Sequence, residues 1–182
     1  MDEELKVEEQ EDVRIIFLGE EDNINNFTDA AFDKKTKKKA EFDYDIMKVD
    51  IKKKKVNLGI HPGITDQIKN FNCEKEAIVY VFDWEEEYLS NKIAENRNTV
   101  KEYCPNAIEA IIFISGEKLK ENDLKDRAQK FNIQYCYSVD ENLTKLDDQL
   151  IKIIQKAMGV SGNGCCDCCL IYKNKKLLFL IK

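Results

Sequence analysis

No stretch of this sequence holds the ~18 consecutive apolar residues that a membrane-spanning helix requires. The chain opens on acidic residues without an apolar run, so a secretory signal peptide is not expected and cytosolic synthesis is the default. Histidine is nearly absent. His61 is the only one; beside Pro62 and without a local nucleophile, it reads as a turn residue rather than a base. Positive charge is not in excess either. The formal net charge is −6, which by charge alone excludes a nucleic-acid binder. Cysteines spread through the chain in the manner of a disulfide scaffold are also missing. Cys73, Cys104 and Cys136 are scattered and read as small buried hydrophobes, and the other four are packed into "CCDCC" at residues 165–169. No internal repeat and no second domain is visible.

What is present suits one domain with a two-sided core, since 43% of 182 residues are hydrophobic. Charge is uneven along it. Residues 2–12, "DEELKVEEQED", read with Met1 as a flexible acidic arm over 1–12, and "KKTKKK" (34–39) and Lys52–Lys55 as solvated loops or exposed strand ends. "VRIIFL" (13–18) is a buried strand that stops at Gly19. A short helix is expected over 23–33, with Asp22 or Asn23 as N-cap. "FDYDIMKVDI" (Phe42–Ile51) alternates as a half-buried strand, and "KKVNLGI" is its antiparallel partner, ending near Ile60 before the turn "HPGITD". "EAIVYVFD" (Glu76–Asp83), "EAIIFIS" (Glu109–Ser115) and "IQYCYSV" (Ile133–Val139) are further buried strands. Helices are expected over Glu85–Cys104, stopped by Pro105, over "NDLKDRAQKFN", and over "NLTKLDDQLIKIIQKAMG". The apolar stripe of the last is Leu143, Leu146, Leu150, Ile153, Ile154 and Ala157, and Gly159 is its C-cap. Trp84 reads as a boundary residue covering the sheet edge.

Alternating buried strands and helices require a mostly parallel sheet with helices on both faces. The expected fold is a three-layer α/β domain over 13–159, a six-stranded, mainly parallel sheet with one antiparallel edge strand, Phe42–Ile51. Residues 160–182 are expected as a flexible tail.

This order of elements, followed by an amphipathic helix, the linker "GVSGNG" and the cysteine cluster, resembles a Rab of the Ras-like small GTPases over about residues 13–169. The resemblance implies a P-loop NTPase fold, with Phe42 at the aromatic that follows the first switch. It also assigns positions to the nucleotide motifs, and those motifs are degenerate. Gly19 keeps the first phosphate-loop glycine. Ile24 stands at the second glycine, Asn25 at the lysine and Asn26 at the magnesium-binding hydroxyl. The first-switch threonine falls at Lys37, with Thr36 one residue off. The second switch becomes "IHPGI": Gly63 is kept, Ile60 replaces the aspartate and Ile64 the glutamine. The guanine-reading motif becomes "SGEK", with Lys118 in place of an aspartate, and its supporting motif becomes "VDE", Val139 to Glu141. No Gly-Lys-Ser or Gly-Lys-Thr occurs anywhere.

These changes reverse the electrostatics. A nucleoside triphosphate carries about four negative charges, which the family offsets with backbone N–H groups, one lysine and Mg²⁺. Here Glu20, Glu21 and Asp22 stand beside the site. Unit charges ~4 Å apart in a partly buried loop repel by roughly 4 kcal/mol. Lys118 offers donors where guanine needs an acceptor. Asn23, Asn25 and Asn26 can instead bond the N–H groups at the helix start, and the acidic side chains complement its dipole. The cofactor-binding positions implied by the resemblance are thus Gly19, Asn25, Asn26, Gly63 and Lys118. No catalytic residue, metal or cofactor is expected, and a divergent working GTPase using GTP or GDP with Mg²⁺ is the alternative.

"CCDCC" is too compact to wrap four thiolates around one zinc ion, and lacks the strand-to-helix placement of a redox pair. Lipidation of Cys165, Cys166, Cys168 and Cys169 suits the resemblance, with palmitoylation open because "LIYKNKKLLFLIK" follows. The implied function is a degenerate Rab-like module or scaffold of membrane traffic, cytoplasmic and peripherally attached to the cytosolic face of membranes. Its partners are trafficking proteins and the membrane surface, not nucleic acid. A subunit of some unrelated assembly remains the other reading.

Overall fold

A computed structural model describes residues 11–32, 38–39, 45–51, 53–65, 68–69, 73–159, 169–173 and 176–180. The strand β1 (Val13–Gly19) lies inside the main sheet, and its side chains divide between two cores. Val13, Ile15 and Phe17 enter one, Ile16 and Leu18 the other. A strand covered on both faces has no solvent side to mark with polar residues, which is why "VRIIFL" shows so little alternation.

Among the described residues the main sheet has seven strands in the order β2 (Lys38–Lys39), β3 (Asp45–Ile51), β4 (Lys54–His61), β1, β5 (Glu76–Asp83), β6 (Ile108–Ile114) and β7 (Tyr135–Val139). From β4 to β7 all neighbours run parallel. β3 pairs antiparallel with β4, from Asp45 opposite Ile60 to Ile51 opposite Lys54. The six expected strands are present. The two-residue β2, antiparallel to β3, adds a second antiparallel pair, so β3 is not the edge throughout. A short edge strand made of lysines is a common way to discourage further pairing. The expected beginning of β3, residues 42–44, lies outside the described residues.

Helices cover both faces. α1 (Glu21–Ala30) and α4 (Leu146–Ala157) close the core built on Val13, Ile15 and Phe17. α2 (Leu89–Tyr103) and α3 (Glu121–Gln129) close the other. Phe27 is the buried anchor of α1 and meets Phe17 edge-on, ring centroids 5.8 Å apart. Beyond α1, Phe32 takes φ +55° and its backbone N–H donates to Asp147 Oδ1 at 2.7 Å, which ties the end of α1 to α4.

Two helices start later than their apolar patterns suggest, each for a visible reason. The carboxylate of Glu86 accepts the Tyr88 N–H at 3.0 Å, so Glu85–Tyr88 turns instead of joining α2. Asp140 accepts both the N–H of Thr144 at 3.0 Å and its hydroxyl at 2.5 Å, while Leu143 sits at φ +56°. That turn keeps 142–145 out of α4, although Leu143 still packs on the core.

β8 (Cys169–Lys173) and β9 (Lys176–Leu180) form a separate antiparallel hairpin. Residues 160–164 of the expected linker, Cys165, Cys166 and Cys168, together with the lysine run's 34–37 and residues 1–10 of the acidic arm, lie outside the described residues. Glu11 and Asp12, the last two residues assigned to that arm, are held on the sheet. Asp12 exchanges two bonds with Asn57: its N–H donates to the Asn57 carbonyl at 2.8 Å, and its Oδ2 accepts the Asn57 N–H at 2.7 Å.

Candidate functional site

Because five strands run parallel, the chain leaves all of them on one edge of the sheet. Glu20 follows β1, Pro62 to Thr65 follow β4, Trp84 to Tyr88 follow β5, Ser115 to Lys118 follow β6, and Asp140 and Glu141 follow β7. Ligand crevices of open α/β sheets form along this carboxyl edge. Gly19, Gly63 and Lys118 belong to it. Asn25 and Asn26 do not. They lie in the second turn of α1, exposed to solvent.

The junction between β1 and α1 explains this. Glu20 is extended (φ −77°, ψ 141°) and serves directly as N-cap, its carbonyl accepting the Ile24 N–H at 2.9 Å. The helix therefore begins at Glu21, two residues earlier than expected, and no loop intervenes that could wrap an anion. Neither Asp22 nor Asn23 caps it, and the cap has no side-chain hydrogen bond. The expected bonding of the helix start by Asn23, Asn25 and Asn26 is replaced by charge alone, with Glu21 and Asp22 in the first turn beside the positive end of the dipole. Gly19 has a local cause. A Cβ there would lie 2.2 Å from the Val81 carbonyl oxygen, so the close pairing of β1 with β5 requires glycine. Gly63 sits at φ +110° in open space and is a turn glycine.

The acidic side chains of the edge are partly neutralised from within. Lys92 of α2 bridges two loops, bonding Glu20 after β1 and Glu86 Oε2 after β5, the latter at 2.9 Å. The Lys92 bond holds the Glu86 carboxyl below its ordinary range, helped by the Tyr88 N–H, and the two carboxylates raise Lys92 in turn. A cation thus does reach the loop after β1, but it comes from the neighbouring helix and is spent on protein carboxylates.

The loop after β5 is clamped a second time. Arg127 of α3 donates to the carbonyls of Trp84 and Glu86, the latter at 2.8 Å. Its guanidinium lies over the Trp84 ring at 4.4 Å, and burial lowers its pKa. Trp84 meets Phe113 edge-on at 5.1 Å. It is a half-buried boundary residue, as its position suggests, with Arg127 as its lid. At the far end, Ser115 Oγ accepts the Glu117 N–H at 3.2 Å, Gly116 lies against the Glu141 carboxylate, and Lys118 is exposed. The loops after β6 and β7 therefore meet, and Lys118 remains on the surface.

One polar cluster was not visible in the sequence. Arg14, in the buried strand β1, is 3% exposed and His61 1%. His61 is thus not a turn residue; it is the last residue of β4, in register with Ile16. Arg14 Nε donates to Glu11 Oε2 at 2.8 Å and Nη1 to Glu76 Oε1 at 2.9 Å, while His61 Nε2 lies 3.0 Å from Glu11 Oε1. Burial alone would push Glu11 up; the hydrogen bond and charge of His61, then those of Arg14, hold it below the ordinary carboxylate value. For Glu76 burial prevails and the carboxyl is raised, with Arg14 and Cys104 opposing. Cys104 is buried here and, through burial first and the Glu76 charge second, is pushed up to about 12. Cys73 and Cys136 are only half-buried, and burial raises both thiols, Cys136 to about 12. These thiols are poor nucleophiles. The signal available in the sequence was the period-2 alignment of Arg14, Gly59, His61 and Glu76 on one sheet face, which needs the strand register to be read.

Among the described residues no helix is long and apolar enough to cross a membrane, and no group of three His, Cys, Asp or Glu side chains is disposed to hold a metal ion. Compared with protein families and with curated proteins, the chain matches no family model and no curated protein.

Proposed function

We propose that the chain is a degenerate Rab-like domain on a P-loop NTPase-type fold, a binding module or scaffold of membrane traffic that does not hydrolyse GTP. The observation that carries this reading is the β1–α1 junction. A helix N-terminus facing the carboxyl edge is the ordinary seat of a phosphate, and here Glu20, Glu21 and Asp22 stand at it while Lys92 holds Glu20. The parallel β4–β1–β5–β6–β7 arrangement and the helices on both faces support the fold. The added β2 departs from the expected six-strand sheet.

A bound ligand stabilises the folded state by RT ln(1 + [L]/Kd). Millimolar GTP or GDP with Mg²⁺ is therefore expected to leave the melting temperature unchanged, with adenine nucleotides as control. A rise of several degrees for guanine nucleotides alone would sink the proposal in favour of a divergent working GTPase.

Membrane attachment through Cys165, Cys166, Cys168 and Cys169 belongs to the same proposal. Two lipid chains give stable anchoring, each buried CH₂ adding ~0.8 kcal/mol. In cell fractionation, replacing these four cysteines by serine is expected to move most of the protein from the membrane pellet to the supernatant. Equal membrane recovery for both forms rules out a cysteine-linked anchor.

A further inference from the structure

The Glu11 carboxylate is held as a ligand is held. Its side chain is 6% exposed, although the residue precedes β1 and closes an acidic segment. Its two oxygens meet donors from two different strands: Arg14 Nε of β1 at 2.8 Å and His61 Nε2 of β4 at 3.0 Å. The space it fills is opened by Gly59. A Cβ there would stand 2.5 Å from Glu11 Cδ and 2.6 Å from Oε2, so any other residue would expel the carboxylate. The far side of the guanidinium is occupied by Glu76, at 2.9 Å from Nη1. Cys73, with its sulfur 3.8 Å from the Glu11 carbonyl, and the buried Cys104, beside Glu76, complete the surroundings.

We infer that Arg14, Gly59 and His61 form a carboxylate-binding socket in the sheet, occupied in cis by Glu11 as an internal ligand, and able to take a carboxylate in trans when Glu11 is withdrawn. The donors, and the space, belong to β1 and β4 and do not depend on the segment that supplies the carboxylate. Glu11 itself is attached by a short tether, the paired bonds of Asp12 with Asn57. The segment before β1 is thereby strapped to the middle of β4, while the Glu11 side chain reaches His61 at the end of that strand, from which the loop Pro62 to Thr65 departs. The depressed pKa of Glu11 is what a socket for the anion produces.

The test uses acetate as the free carboxylate. Glu11→Ala deprives Arg14 and His61 of the carboxylate they share, and the variant should melt roughly 10 °C below the wild type. Exchanging chloride for acetate at equal ionic strength should recover a large part of that loss in Glu11→Ala and none in the wild type, where the socket is full. It should do nothing for Glu11→Gln, whose amide fills the same space. His61 is the only histidine, so its imidazole resonances are a clean local probe, and they should move saturably with acetate in Glu11→Ala. If Glu11→Ala is unfolded in chloride, recovery of its circular dichroism in acetate becomes the readout. The inference is overturned if acetate and chloride act alike on Glu11→Ala, if acetate raises all three proteins equally, or if Glu11→Gln responds as Glu11→Ala does.

Discussion

Gly19→Ala will cost this protein most of its stability, in the absence of any nucleotide. The added Cβ would lie 2.2 Å from the Val81 carbonyl oxygen and 3.2 Å from its carbon. Both are backbone atoms of β5, so no side-chain rotation relieves the overlap. β1 and β5 are paired in register from Arg14 to Gly19, and each is packed on both faces, so neither strand can retreat without opening a core. The backbone at Gly19 also sits at φ +154°, which an L side chain rarely adopts. Together these place the substitution among the exceptional ones, above about 4 kcal/mol. A domain of this size loses roughly 2–4 °C per kcal/mol, so the expected outcome is a drop of about 10 °C or more, or no soluble protein. Gly63→Ala is the control. It meets nothing within 4 Å and bears only its φ of +110°, a strain of about 1–3 kcal/mol. Thermal melts in which the two variants are equally mild would show that β1 and β5 do not need the glycine. Gly19 would then be open to another explanation, such as a phosphate.

The layers of this fold were legible because burial on both faces leaves a plain trace. "VRIIFL", "EAIVYVFD" and "EAIIFIS" are almost unbroken apolar runs, and they are the three strands that carry the two cores. What could not be read were features set by single side-chain bonds, some between near neighbours and some across the fold. The start of α4 depends on Asp140 capturing Thr144, and the start of α2 on Glu86 folding back to Tyr88. Both compete locally with an amphipathic pattern that alone favours a longer helix. α1 instead starts early. Asp22 and Asn23 are favourable N-caps by type, yet the extended backbone at Glu20 starts the helix before either can act. Pro62 signals a turn at His61, but the turn begins one residue later and His61 closes β4. Lys92 and Arg127, which hold the loops of the carboxyl edge, stand out in neither spacing nor type. They act through helices that only the folded sheet brings over those loops.

Arg14→Met will produce the other large loss, and its dependence on pH identifies the cause. Methionine fills much of the volume and can lie in the same core, but it leaves Glu11 and Glu76 buried around a missing cation. Breaking a buried pair by removing one partner costs about 3–5 kcal/mol near neutral pH, because the remaining charge stays desolvated. In the wild type, the Glu11 carboxyl is held below its ordinary value of 4.5, so its contribution is present above that value and lost as pH falls through its folded one. Without Arg14 both carboxyls must rise, and a group raised in the folded state favours folding only while it is protonated. The gap between wild type and Arg14→Met should therefore be widest near neutral pH and close on acidification, from both sides. Glu76 supplies the internal check. Its carboxyl is already raised in the wild type, by burial against the opposition of Arg14 and Cys104. Its contribution is present below 4.5 and is lost as pH rises through the folded value, above which the ionised form is a burden that Arg14 only partly offsets. Glu76→Gln should consequently melt close to the wild type at neutral pH, whereas Glu11→Gln should not. Melting curves of the four proteins at several pH values decide the matter. A deficit of Arg14→Met that stays constant into the acid range would mean that the guanidinium serves the core by packing, and that the charges around it are incidental.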